Sequence, residues 1–166
     1  MGRKIYPGRF TVENGTDIVV FTIGMRINKW WAIHKWFPVF LTMPAMIKEL
    51  YTNKELGFLS MESFIGFRTT FMMQYWQSEQ QLFAYARGQK HLKAWKDFNK
   101  KVGNNDAVGI YHETYLVHKG HYESIYGNMP TFGLGKVFGT VPVTAARKTA
   151  AQRLKHEDLT GRAEVD

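Results

Sequence analysis

From Asp17 to Ile27 the apolar residues Ile18, Val19, Val20, Phe21, Ile23 and Met25 are nearly continuous and rich in β-branched types. Such a run predicts a central strand covered on both faces. The period then changes. Between Lys35 and Tyr51, Trp36, Phe40, Met43, Ile47 and Leu50 recur in alternating steps of four and three, which is one stripe of a helix. Pro38 suits the first turn of that helix, whereas Pro44 lies inside it and predicts a kink or a split. Two strands follow, Phe58–Ile65 and Arg68–Trp76, joined at Gly66-Phe67. So short a connection predicts an antiparallel hairpin.

A second helix is predicted from Ser78 towards Val102. Ser78 and Gln81 have capping-box spacing, in which the hydroxyl takes an orphan N–H and the Gln side chain reaches back to the cap. Leu82, Phe83, Ala86, Leu92, Trp95 and Phe98 form its apolar side, Gly88 predicts a bend, and Gly103-Asn104-Asn105-Asp106 ends it. A fourth strand spans Val108–Val117. The order is β-α-β-β-α-β, so the fold class is α+β and ferredoxin-like.

Two helices cover one face of such a sheet. Residues 1–16 read as an irregular lead-in with turns at Pro7-Gly8 and Asn14-Gly15, and no further strand is predicted after the fourth. The economical cover for the second face is another copy of the chain, so a symmetric homodimer is expected. Gly120 to Gly139 carries Tyr122, Tyr126, Phe132 and Phe138 and reads as an ordered arm. Thr144 to Leu154 reads as an exposed basic helix, and residues from His156 onward as frayed. The domain reading is therefore 1–138 for the barrel domain with its lead-in and arm, and 139–166 for the basic helix and tail.

Composition narrows the chemistry. Of 166 residues, 45% are hydrophobic and 15% aromatic, which predicts a folded chain whose aromatics fill a core or line a pocket or interface. The absence of cysteine excludes disulfides, Cys-ligated zinc, iron–sulfur clusters and thiol nucleophiles. A net charge of +8 invites a nucleic-acid reading. The basic residues are scattered, however, with Arg3, Lys4, Arg9, Arg147, Lys148, Arg153 and Lys155 near the ends, and no recognition motif accompanies them. Nucleic acid is not an expected partner. Met1 to Lys4 precede no apolar run, and the longest uncharged apolar stretch, Trp36 to Ile47, is too short to span a bilayer. A cytoplasmic protein without a membrane span is expected.

Strand alternation sorts the candidate chemistry. On the first strand Thr22, Gly24, Arg26 and Asn28 share one face, and Val19, Phe21, Ile23, Met25 and Ile27 the other. The apolar face should meet the helices, which directs Arg26 and Asn28 into the space between two sheets. A buried arginine there needs a carboxylate partner or a ligand. On the fourth strand His112 and Thr114 lie with Ile110, whereas Glu113 lies with Tyr111 and Tyr115. Register decides whether Arg26 meets His112 or Glu113. Histidine titrates near neutrality, so His112 is either a general base or a hydrogen-bonded core residue. The third strand places Gln74 and Trp76 on one face, Met73 and Tyr75 on the other. His91, on the second helix, is either structural or an iron ligand. His34 reads as a helix-end residue. His118 and His121, three apart in a turn, make no convincing metal set, and no metal site is expected.

Several segments together carry a resemblance. They are Gly24-Met25-Arg26-Ile27-Asn28, His34-Lys35-Trp36, Gln74-Tyr75-Trp76-Gln77-Ser78, Ala84-Tyr85-Ala86-Arg87, His91-Leu92-Lys93-Ala94-Trp95, Tyr111-His112-Glu113-Thr114-Tyr115 and Tyr126-Gly127-Asn128-Met129-Pro130. Over about residues 5–138 the chain resembles a bacterial and fungal family related to the antibiotic-biosynthesis monooxygenases, within the dimeric α+β barrel superfamily. That resemblance implies an oxygenase acting on a small apolar or aromatic metabolite between the sheet faces. It implies Asn28, Trp76 and His91 at the positions where the superfamily's oxygenases place an Asn, a Trp and a His. The resulting assignment is Arg26, Asn28, His112 and Glu113 as catalytic, with Gln74, Tyr75, Trp76 and Tyr111 binding substrate. Cofactor-free members oxidise electron-rich aromatics directly, which implies no cofactor here. Haem-degrading members bind iron through the helical His, which makes His91 the ligand in a haem alternative of the oxygenase or aldoxime-dehydratase kind. The gap from Trp76 to His91 is longer than in the haem-degrading members. A third reading is a non-catalytic ligand-binding dimer.

Overall fold

The computed structural model describes residues 4–88, 91–92, 96, 98–100 and 106–154. In chain order the elements are β1 (Tyr6–Thr11), β2 (Ile18–Ile27), α1 (Ile33–Thr52), β3 (Phe58–Ile65), β4 (Thr69–Trp76), α2 (Glu79–Ala86), β5 (Val108–Val117), β6 (Tyr126–Met129), α3 (Leu134–Phe138), β7 (Val141–Pro142) and α4 (Ala150–Arg153). They fall into two compact units, Ile18–Leu116 and the flanking segments Met1–Asp17 with Val117–Asp166.

The first unit is the ferredoxin-like α+β fold. Its sheet has the order β3-β4-β2-β5. Val19 pairs with Trp76, Phe21 with Gln74 and Ile23 with Met72 across β2 and β4, and Met61 pairs with Gln74 across β3 and β4. Antiparallel partners share a face, so these residues form one surface. Val19, Leu50, Phe58, Met61, Met72, Trp76 and Leu82 make its buried core, with Phe21, Ile23, Met43 and Ile47 packed on it. Each such side chain contributes roughly 1.5–3 kcal/mol by leaving water. The apolar face of β2 therefore meets α1, as alternation predicts.

Two helix expectations change. Helix α1 is not split at Pro44: it is one element that contains both Pro38 and Pro44. Pro44 is on the exposed side, where a carbonyl left without its N–H partner can bind water. The second helix stops at Ala86 instead of bending. The Gly88 N–H donates to the Tyr85 carbonyl at 2.9 Å, and a Cβ on Gly88 would lie 2.9 Å from that same oxygen. Only glycine closes this turn, and helix resumes beyond it at residues 91–92. Ser78 caps α2 by accepting from the Gln81 N–H at 3.2 Å, and its hydroxyl donates to Gln81 Oε1 at 3.0 Å. The Gln side chain thus meets the cap's hydroxyl. Trp95, the Gly103–Asn105 stretch and the tail from His156 lie outside the described residues.

The second unit corrects the reading of both ends. The lead-in contains β1, which is the middle strand of a sheet ordered β6-β1-β7. The arm supplies the two outer strands. Tyr122 stacks on Phe138 with centroids 6.1 Å apart, and the Tyr126 hydroxyl accepts from the Gly135 N–H at 3.0 Å. The basic helix is a 3-10 turn at Ala145–Arg147 followed by α4. Arg153, expected to be exposed, has a side chain only 8% accessible that binds Glu123 at 2.7 Å.

Among the described residues no helix is long and apolar enough to cross a membrane. Among them, too, no three His, Asp or Glu side chains converge as metal ligands.

Candidate functional site

A cavity of about 670 Å³ lies between the helix-facing side of the sheet and α1. Phe21, Ile23 and Met72 form part of its floor, and Val39, Met43 and Met46 of α1 part of its opposite wall. These side chains make it largely apolar. Polar groups enter from His34, Lys35 and Thr42 of α1, Gln74 of β4, His112 and Thr114 of β5, Tyr85 of α2, and His91 beyond it. A smaller cavity of about 370 Å³ adjoins it, and Tyr85 and His91 line both.

Alternation explains who is present. Gln74 shares a face with Trp76, and His112 with Ile110 and Thr114, so all point towards α1. The His112 ring sits 5.7 Å from the Phe21 ring and is exposed at the mouth on edge strand β5. Gln74 is buried, and its side-chain oxygen accepts from the indole N–H of the fully buried Trp76 at 3.0 Å. Trp76 backs the wall without lining the cavity. Its ring lies 5.5 Å from Tyr85, and Tyr85 lies 5.6 Å from His91. The Tyr85 hydroxyl and His91 Nδ1 are both buried without a hydrogen-bond partner among the described residues. Burial, with the negative charge of Glu49 adding to it, pushes the Tyr85 hydroxyl up to about 12.

The remaining sequence candidates stand on the opposite face. Arg26 and Asn28 flank Gly109, whose added Cβ would lie 3.9 Å from Arg26 Cβ and 3.8 Å from Asn28 Nδ2. Tyr111 folds over Gly24 on that side, where any Cβ would collide with its hydroxyl. The Tyr115 hydroxyl donates to Glu113 at 2.5 Å, and this bond, before burial and charge, raises the Tyr115 hydroxyl above its ordinary range. Tyr75 is buried there, with its hydroxyl 3.6 Å from the Met73 sulfur. Arg26 is exposed in the single chain. Arg26 and Asn28 therefore do not reach the cavity beside His112; Gln74, His91 and His112 do.

Tyr85 is a cavity residue to which the sequence assigned no role, as are Lys35 and Thr42. Its position three after Leu82 places both on one helix face, and that spacing was the available signal.

Residues 18–134 match the family model described as Monooxygenase af470-like. The chain is 29% identical over 136 residues to Monooxygenase af470 of Aspergillus fumigatus, covering 72% of this chain and 46% of that protein. It thus spans about half the length of the curated relative it matches. Two crystal structures of aldoxime dehydratases superpose on 84% of this chain. One has a TM-score of 0.63 at 14% identity and 44% coverage of its own chain. The other, co-crystallised with butyraldoxime, has 0.61 at 15% identity and 41% coverage. At such identities the likeness shows the shared fold alone.

Proposed function

This chain belongs to the Monooxygenase af470-like family, and on that premise we propose that it oxidises a small, largely apolar or aromatic metabolite with dioxygen in the cavity between the sheet and α1. The observation that carries this reading is the cavity itself. Its volume of about 670 Å³ suits a small metabolite, and its apolar wall with a few polar entries matches the usual make-up of such sites.

The chemistry suited to these groups is oxidation of a ring methylene made acidic by a neighbouring carbonyl or phenol. His112 accepts the proton at the cavity mouth and returns it to solvent. The substrate anion then reacts with dioxygen. One oxygen stays as a ketone and the other leaves as water, so R₂CH₂ + O₂ gives R₂C=O + H₂O with every electron drawn from the substrate. Gln74, held against Trp76, orients the substrate. Arg26 and Asn28, read from the sequence as catalytic, stand on the sheet face away from this cavity and are given no part in it.

A haem reading turns on His91. An iron-bound imidazole ordinarily has its second nitrogen hydrogen-bonded to an orienting partner. His91 Nδ1 is buried with no such partner among the described residues. They do not complete a haem site.

On the second sheet face Arg26, Phe64, Glu113 and Tyr115 are exposed, and we propose that two chains pair through it. A native light-scattering mass of one 19.3 kDa chain would contradict that pairing.

The functional reading is tested on protein purified from iron-supplemented cells. Oxygen uptake with a panel of polycyclic phenols and hydroquinones, without a Soret band, supports it. A stoichiometric Soret band that His91→Ala removes would replace it with the haem reading.

A further inference from the structure

A surface helix normally turns its apolar stripe inward and its polar face to water. Helix α1 has a second apolar stripe that faces out: Ile33, Phe37 and Leu41, four residues apart, are all exposed. Aromatic rings continue this surface past the start of the helix. Phe37 packs edge-on against Trp36 with centroids 5.8 Å apart, Trp36 meets Trp30 at 5.6 Å, and Trp30 meets Phe67 of the β3–β4 turn at 5.2 Å. Phe67 is 82% accessible and Trp31 77%, so these two rings project furthest into solvent. Exposed apolar side chains gathered in this way mark a binding surface.

The charge around them is nearly all of one sign. The sequence has no carboxylate between Asp17 and Glu49 or between Glu62 and Glu79, and Lys29, Lys35 and Arg68 fall within those stretches. Arg68 is exposed, and its guanidinium donates to the Asn28 carbonyl at 3.3 Å, two residues before Trp30. The carboxylate of Asp106 comes close from just before β5 and is held by Lys29 at 2.5 Å, with Lys35 also acting on it.

We infer that this surface docks the protein on a membrane that carries anionic lipid, with Trp31, Phe37, Leu41 and Phe67 entering the lipid interface and Lys35 and Arg68 meeting lipid phosphates. Tryptophan favours the headgroup level of a bilayer. An apolar stripe flanked by basic residues is the make-up of helices that lie in that plane. A second copy paired through the same surface would set Lys35 and Arg68 against their own counterparts, because a two-fold contact opposes a patch to itself. Pro38 and Thr42, one residue on from Phe37 and Leu41, are exposed and line the cavity. The docked face therefore borders an opening of the cavity, but the docking does not depend on what the cavity binds.

The test is flotation of the full chain with vesicles of phosphatidylcholine alone and of phosphatidylcholine with phosphatidylserine. Binding is expected to the mixed vesicles, and to weaken as salt rises. Trp31→Ser with Phe37→Ser should lower the affinity at least tenfold, and Arg68→Gln severalfold. Lys54→Gln makes the same charge change past the far end of α1, about 30 Å away for a helix of 20 residues, and should stay within twofold of wild type. Brominated lipid in the mixed vesicles should quench the tryptophan fluorescence of the wild-type protein, which reads insertion without any variant. Absence of binding, absence of quenching, or equal losses in Arg68→Gln and Lys54→Gln would overturn the docking. So would a light-scattering mass that halves in the Trp31→Ser, Phe37→Ser variant, since the surface would then belong to a second copy.

Discussion

The indole N–H of Trp76 and the side-chain oxygen of Gln74 meet at 3.0 Å, two residues apart on one face of β4, and both residues are buried. The bond joins the core to the cavity, because Trp76 is packed against Phe58 and Tyr85 while Gln74 looks into the open space. Trp76→Phe should therefore have two effects. The Gln74 oxygen loses its donor, which costs about 1–3 kcal/mol, and the smaller ring leaves a void that adds to the loss. The double variant Trp76→Phe with Gln74→Leu should recover part of this, since no polar atom is then stranded. Urea unfolding of the single and double variants checks the coupling; strictly additive losses would show that the bond contributes nothing.

Much of this arrangement was legible in the sequence. The bounds of β3 and β5 follow from composition and turn signals, and alternation correctly puts Gln74 with Trp76 and His112 with Thr114. Which face holds the cavity was not legible. Period two separates two faces, but it does not say how far a helix stands from the sheet. The apolar face of β2 reads as pure core, yet the floor at Phe21 and Ile23 and the wall at Val39 and Met43 leave space between them. Strand β1 was missed because Pro7-Gly8 inside it reads as a turn, and β7 is too short, at two residues, to show any period.

Asp17 predicts an acid sensitivity. Its carboxylate accepts from the Lys119 backbone N–H at 2.7 Å and lies 3.5 Å from His118. The backbone hydrogen bond is the main cause holding its carboxyl below the ordinary 3.8. A carboxylate lowered by folding contributes stability that is present above its unfolded value and lost as pH falls through the lowered one. Asp17→Asn should thus narrow its gap to wild type as pH drops from 5 to 2, measured by thermal melts. A gap that stays constant with pH would contradict the assignment.

Tyr85 predicts the opposite end of the scale. Its hydroxyl is raised from 10 to about 12, so its contribution is complete below pH 10 and lost as pH rises through about 12. Tyr85→Phe should remove one late-ionising tyrosine from the ultraviolet titration and make stability fall less steeply above pH 10. Parallel alkaline curves for the two proteins would show that Tyr85 is not desolvated.

The proposed ligand site lies on the helix-covered face of the sheet, away from Arg26. The methionines report on this directly. Met25, Met43, Met46 and Met72 line the cavity, whereas Met73 belongs to the opposite face of β4. With methyl-¹³C methionine and assignments from single Met→Leu variants, 1-tetralone is titrated into the full chain and the methyl resonances are followed. Saturable shifts are expected at Met43, Met46 and Met72 with Met73 unmoved, and shifts confined to Met73 would overturn this placement of the site.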